Sequence, residues 1–157
     1  MFNFLKKSNK IVAVCDGIIN NLNQFPDDAI SSLVLGDGFM IEPDNGKIVS
    51  PIDGEVVMLF PTGHAIGIKN SEYEILIHIG VDTVNLAGQG FINKVEVGEK
   101  VKAGQEISQF NFNQVRESPE VKSIAVAVIF TGFNRKVNLL ENNTHVSAGQ
   151  AEILTIK

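Results

Sequence analysis

The sequence predicts an all-β fold, an antiparallel β-sandwich or distorted barrel with a few one-turn helices, and three observations carry that reading. Val and Ile recur in short runs punctuated by Gly, Asp, Asn and Pro. No long stretch sustains the 3.6-residue period of an amphipathic helix. The 157 residues, 44% apolar and 20% charged, have ordinary globular composition and suit one core.

The elements follow in chain order. Residues 1–10 set Phe2, Phe4 and Leu5 beside Lys6, Lys7 and Lys10, a flexible or weakly amphipathic segment. A single domain is expected over 11–157. Strands are expected at 10–16, 32–35, 39–43, 47–49, 54–60, 64–68, 74–79, 90–95, 106–111, 124–130, 136–139 and 151–156, where apolar or β-branched residues lie between turn formers. Single helical turns are expected at 27–32, 84–86 and 113–117. Residues 97–105 and 146–150 both place glycines between short strands and share Ala-Gly-Gln, a slight sign of a repeat. Those turns resemble the turns of lipoyl- and biotinyl-carrier domains.

Composition excludes several functions. A net charge of −5 and a pI of about 5.1 argue against nucleic acid, which needs clustered Lys and Arg. The longest apolar run, Ile124 to Phe130, is seven residues, against about 20 for a membrane-spanning helix. The one cysteine, Cys15, cannot form an internal disulfide and reads as a buried structural thiol. With no secretory signal, the cytoplasm is the expected compartment.

The chemistry centres on two histidines. Two strand-like runs, ending and beginning around a polar connection at 69–73, read as a hairpin. With Ser71 at the midpoint, His64 pairs with His78, Ile66 with Leu76 and Ile68 with Glu74. Directly opposite residues share a face, so both imidazoles would converge; a one-residue slip would separate them. Ile75, Ile77 and Ile79 form the better core face, which turns His78 outward beside Leu76 and Ile66. Neutral imidazole is a good nucleophile near neutrality. One ring can attack phosphorus while the other donates a hydrogen bond to a phosphoryl oxygen. A pair of satisfied core histidines is the alternative. Zinc through His64 and His78 is a further, less favoured option, since zinc needs three or four ligands and His145 reads as a surface loop residue.

The residues Thr62-Gly63-His64-Ala65, and Leu76-Ile77-His78-Ile79-Gly80-Val81-Asp82-Thr83-Val84-Asn85-Leu86, resemble the glucose-type enzyme IIA component of the bacterial phosphoenolpyruvate-dependent sugar phosphotransferase system. The likeness extends through Leu35-Gly36-Asp37-Gly38-Phe39, Ser50-Pro51-Ile52-Asp53-Gly54, Gly88-Gln89-Gly90-Phe91, Gly98-Glu99-Lys100-Val101 and Ala103-Gly104. The resemblance implies that His78 is the phosphorylated nucleophile, His64 contacts the phosphoryl group, and the Thr62 hydroxyl orients His64. It implies the phosphocarrier HPr as donor and a cysteine on the IIB domain of a sugar permease as acceptor. Asp27 and Asp82 match acidic positions facing an arginine on HPr. Ile30, Val34, Leu35, Phe60, Ile66 and Leu76 align with an apolar docking patch, although Ile30, Ile66 and Leu76 stand where Phe is expected. No cofactor beyond a covalent phosphohistidine is implied, and membrane contact comes chiefly through the permease. A monomer forming transient complexes and a free-standing subunit are also expected. On residue type alone Asp82 reads as the cap of a short turn. The rivals are a zinc hydrolase, a lipoyl- or biotinyl-type carrier using Lys69, and a non-catalytic binding module.

Overall fold

The structure, a computed structural model, describes residues 10–132 and 134–157. The reading of an amphipathic N-terminal segment falls on residues 1–9, outside the described residues, except for Lys10.

The chain is all-β. Strands β1 (Gly17–Asn21), β2 (Gly38–Pro43), β3 (Lys47–Val49), β4 (Gly54–Leu59), β5 (Ala65–Lys69), β6 (Glu74–Val81), β7 (Phe91–Asn93), β8 (Lys100–Val101), β9 (Glu106–Phe110), β10 (Ser123–Thr131), β11 (Val137–Leu139), β12 (Thr144–Val146) and β13 (Leu154–Ile156) pair antiparallel throughout. Helices α1 (Asp28–Ser31) and α2 (Phe112–Glu117) and the 3₁₀ turns Leu22–Gln24 and Thr83–Leu86 are short, as expected where no apolar face spans several turns. An eight-stranded sheet runs β12-β1-β2-β10-β6-β5-β4-β8; β3-β9-β7 and β11-β13 form smaller sheets.

Alternation along the strands sorts side chains between two apolar clusters. One face of the large sheet, with Phe39, Ile41, Ile66, Ile68, Ile75, Ile77, Ile79, Val126 and Val128, packs on Ile48, Ile107 and Phe110 of the three-stranded sheet as the main core. The opposite face carries Met40, Ala127 and Ile129, covered by Leu22, Phe25 and Ile30 from the segment preceding and including α1. Cys15 is buried in the main core, and burial, reinforced by the carboxylates of Asp16, Asp44 and Glu42, pushes its thiol well up.

Several expectations need correction. Residues 10–16 are not a strand; β1 begins at Gly17. They instead cross residues 49–51: Val12 N–H donates to the Pro51 carbonyl and Val49 N–H to the Val14 carbonyl. Residues 32–35 form a turn after α1, with Leu33 at φ 65°. β1 itself, β8, β12 and the 3₁₀ turn Leu22–Gln24 were not anticipated; the last three have only two or three residues and leave no periodic signal.

The slight repeat proves to be a structural one. Lys102 N–H bonds Gln105 Oε1 as Ser147 N–H bonds Gln150 Oε1, both at 3.0 Å. Asp53 accepts from Ala103 N–H as Asp16 accepts from Ala148 N–H. Ser50 and Ala13 clamp the two turns with matching backbone bonds. The sequence signal overlooked was Ile11-Val12 followed by Asp16-Gly17, echoed by Ile48-Val49 followed by Asp53-Gly54.

Candidate functional site

The hairpin register differs by one residue from the expected one. The loop is 70–73, closed by Asn70 N–H donating to the Tyr73 carbonyl, and Ala65 rather than His64 stands opposite His78. Ile66 therefore pairs with Ile77 and Ile68 with Ile75, all on the core face. Ile66 is 0% exposed and belongs to the core, not to a docking patch.

The two rings meet nonetheless, because His64 lies outside the strand. The chain leaves β4 through a tight turn in which Gly63, at φ 78°, donates to the Phe60 carbonyl. His64 closes the ladder only through its carbonyl, which accepts from Ile79 N–H at 2.7 Å. Its ring departs from the pleat, packing edge-on against His78 at a centroid distance of 5.3 Å and against Phe60 at 5.2 Å. His78 itself emerges from β6 between Ala65 on one neighbouring strand and Ala127 on the other. These small side chains leave room for an imidazole on the sheet face.

Hydrogen bonds fix both rings. His78 Nδ1 lies 2.9 Å from the Gly80 carbonyl oxygen. A carbonyl only accepts, so Nδ1 carries the proton and the Nε2 lone pair is left available in the neutral ring. His64 Nδ1 lies 2.6 Å from Thr62 Oγ1. When that hydroxyl donates, the His64 proton sits on Nε2, making it a donor toward its neighbour. Burial holds the His64 pKa below the ordinary 6.5, and the charge of His78 lowers it further. Burial likewise lowers that of His78, opposed by the Gly80 hydrogen bond and the Asp27 carboxylate. Both rings are therefore mainly neutral at pH 7. His64 is only 5% exposed, whereas His78 remains half-buried and is the more accessible of the two.

The other expected residues range from exposed to buried. Asp27 occupies the N-cap position of α1 and accepts from Ala29 N–H at 3.4 Å. Asp82 does not cap: its side chain makes no such bond, its φ is 66°, and the residue is exposed. Val34 is 78% exposed, and Leu35 and Phe60 are nearly half exposed. Leu76 is partly buried beside the second cluster, whereas Ile30 is buried within it. Ile30 thus supports the patch from beneath. Leu33 and Val84 are exposed apolar residues the sequence reading did not single out. Exposure at a turn leaves no periodic trace, although Val84 directly follows the Asp82-Thr83 pair.

His145 is exposed in β12, where Nε2–H donates to Asp44 at 2.6 Å. Among the described residues, no group of three or more His, Cys, Asp or Glu is placed to hold a metal ion. Lys69 lies in β5 opposite Glu74 and Glu55 rather than at a hairpin tip. No helix among the described residues is long and apolar enough to cross a membrane.

Fold and site together define a two-histidine β-sandwich of the enzyme IIA kind. The sequence signature of the family described as phosphoenolpyruvate-dependent sugar phosphotransferase system, EIIA 1, matches residues 9–136. A glucose-specific EIIA component of Halalkalibacterium halodurans is 38% identical over 149 residues, spanning 94% of this chain and 85% of that protein. One from Bacillus cereus is 41% identical over 134 residues, spanning 83% and 80%. The solved glucose permease IIA from Mycoplasma capricolum superposes with a TM-score of 0.85 at 34% identity, covering 98% of this chain and 99% of that one. The chain belongs to the EIIA 1 family of the phosphoenolpyruvate-dependent sugar phosphotransferase system.

Proposed function

We propose that this protein is a cytoplasmic phosphocarrier. It accepts a phosphoryl group from phospho-HPr on His78 and passes it to a cysteine on the IIB domain of a sugar permease, driving sugar uptake and phosphorylation. The observation that carries the reading is the His78 Nδ1 contact with the Gly80 carbonyl, which leaves Nε2 unprotonated on the histidine that is the more exposed residue of the pair.

In the first transfer the Nε2 lone pair attacks phosphorus, and the new N–P bond forms as phosphorus leaves its donor. The Nδ1 proton stays in place, so the ring becomes cationic. The Gly80 carbonyl and the Asp27 carboxylate both favour that charge. In the second transfer a cysteine thiolate attacks phosphorus and the N–P bond breaks, returning His78 to its neutral state. His64, its Nδ1 held by Thr62, donates from Nε2 to a phosphoryl oxygen. Val34, Leu35, Phe60 and Leu76 supply the apolar part of the docking surface, and Asp27 and Asp82 the acidic part facing a basic partner.

Incubation with enzyme I, HPr and labelled phosphoenolpyruvate tests this. The expected product is an acid-labile phosphate on His78 that moves on to IIB and is absent in His78→Ala. Labelling that survives the substitution would overturn the assignment. His64→Ala is expected to leave the fold intact and slow onward transfer by about 10²-fold, the usual loss for one donor to developing charge. The names of the relatives make glucose the first sugar to assay.

A further inference from the structure

Thr83 is buried, at 1% exposure, and the transfer steps above make no use of it. Its hydroxyl donates to the Ile79 carbonyl at 2.5 Å, reaching back across the turn that ends β6. Between them lies Gly80, whose carbonyl accepts from His78 Nδ1–H. Gly80 adopts φ +76°, and a Cβ there would stand 2.4 Å from Thr83 Cγ2 and 2.8 Å from the Ser123 carbonyl oxygen. The methyl of Thr83 therefore packs directly over the glycine. Its hydroxyl fixes the peptide on the glycine's N-terminal side.

Glycine is the residue least able to hold its own dihedrals. The direction of the Gly80 carbonyl must be imposed from outside, and two contacts do so. On one side the residue just before β10 contributes, with Lys122 N–H donating to the Val81 carbonyl. On the other side stands Thr83. We propose that Thr83 is a positioning residue for the phosphoryl acceptor. It holds the peptide between Ile79 and Gly80 so that the Gly80 carbonyl meets Nδ1–H, and thereby sets the tautomer that leaves His78 Nε2 free. Valine matches the shape of threonine but cannot bond the Ile79 carbonyl. Without that bond the peptide turns, the Gly80 carbonyl leaves Nδ1, and the proton redistributes to Nε2, the atom that has to attack. The inference deepens the proposed function and rests on it for its consequence in transfer.

Nitrogen-15 NMR of the histidine side chains at pH 8 tests the inference without any phosphoryl donor. Wild-type His78 is expected in the Nδ1–H form. Thr83→Val is expected to move the tautomer ratio toward Nε2–H by roughly 3- to 10-fold, the change that follows from losing a hydrogen bond of ordinary net strength. Thr83→Ser, which keeps the hydroxyl, is expected to stay within about twofold of wild type, and His64 should keep its own tautomer in every variant. The rate of phosphoryl acceptance should fall with the Nδ1–H fraction. If Thr83→Val does not fold, Thr83→Ala provides the same comparison. An unchanged ratio in the hydroxyl-free variant would overturn the inference. So would a Thr83→Ser ratio shifted as far as that of Thr83→Val, or a His64 shift as large as that of His78. Absence of phosphate on His78 in the wild type would instead remove the proposed function, while the tautomer ratios would still decide the role of Thr83.

Discussion

At the residue scale, the decisive group is the His78 imidazole. Its outward direction was legible from Ile75, Ile77 and Ile79 alone, because a buried isoleucine face forces the intervening residues to the other side. Its tautomer was not legible, since it depends on the carbonyl direction of a glycine two positions on. Burial lowers the pKa of His78 more than Gly80 and Asp27 raise it, so the neutral nucleophile persists below the ordinary 6.5. The initial rate of phosphoryl acceptance, followed by rapid quench with a donor in excess, is expected to be level between pH 8 and 7. It should decline only on acidification below 6.5, as a proton occupies Nε2. The two lowered histidines also give stability a direction. The unfolded chain takes up protons that the folded rings resist, so stability falls as pH drops through the ordinary imidazole range.

At the scale of elements, the same hairpin shows what pattern reading can and cannot do. The strands and their core face were legible, but the loop length was not. The expected connection at 69–73 is in fact the shorter loop 70–73, and the register moves by one. That slip would have separated two histidines lying within the ladder. It does not separate these, because His64 belongs to the turn between β4 and β5, where strand alternation no longer applies. The shift does change the meaning of Ile66, which lies within the main core. Ile66→Ala is accordingly expected to cost about 2–5 kcal/mol in denaturant unfolding. Phe60→Ala, at a 41% exposed site against His64, should cost much less stability and instead raise the KM for the donor protein. The opposite ordering would return Ile66 to the docking surface. The paired Ala-Gly-Gln turns offer the converse lesson. Three shared residues hinted at a repeat whose firmer signal, the Asp-Gly pairs that cap those turns, lay far upstream.

At the scale of the whole molecule, an acidic chain carries Asp27 near His78 and exposes the apolar side chains of Val34, Leu35 and Phe60. Within the covering segment 22–31 the helical turn with Asp27 and Ile30 was legible, but the burial of Leu22 and Phe25 was not, because they pack against the outer face of the sheet rather than in the main core. That segment makes the second face a partial layer. It carries Asp27 close to His78, which stays partly exposed. Charge of this kind acts on encounter more than on the bound state. Asp27→Asn and Asp82→Asn should each lower the association rate with a basic donor protein in stopped-flow measurements, most at low ionic strength. The difference should shrink as salt approaches 0.5 M, where the screening length is only about 4 Å. A salt-independent loss would assign these residues to something other than steering.

The central claim is that phosphorus bonds to Nε2 of His78 while Nδ1 stays bonded to the Gly80 carbonyl. Phosphorus-31 and nitrogen-15 NMR of the phosphorylated protein read the attachment atom directly. The expected spectrum shows phosphorus coupled to Nε2 of His78, with the His64 nitrogens uncoupled. Coupling to Nδ1 of His78, or to either nitrogen of His64, would contradict the account.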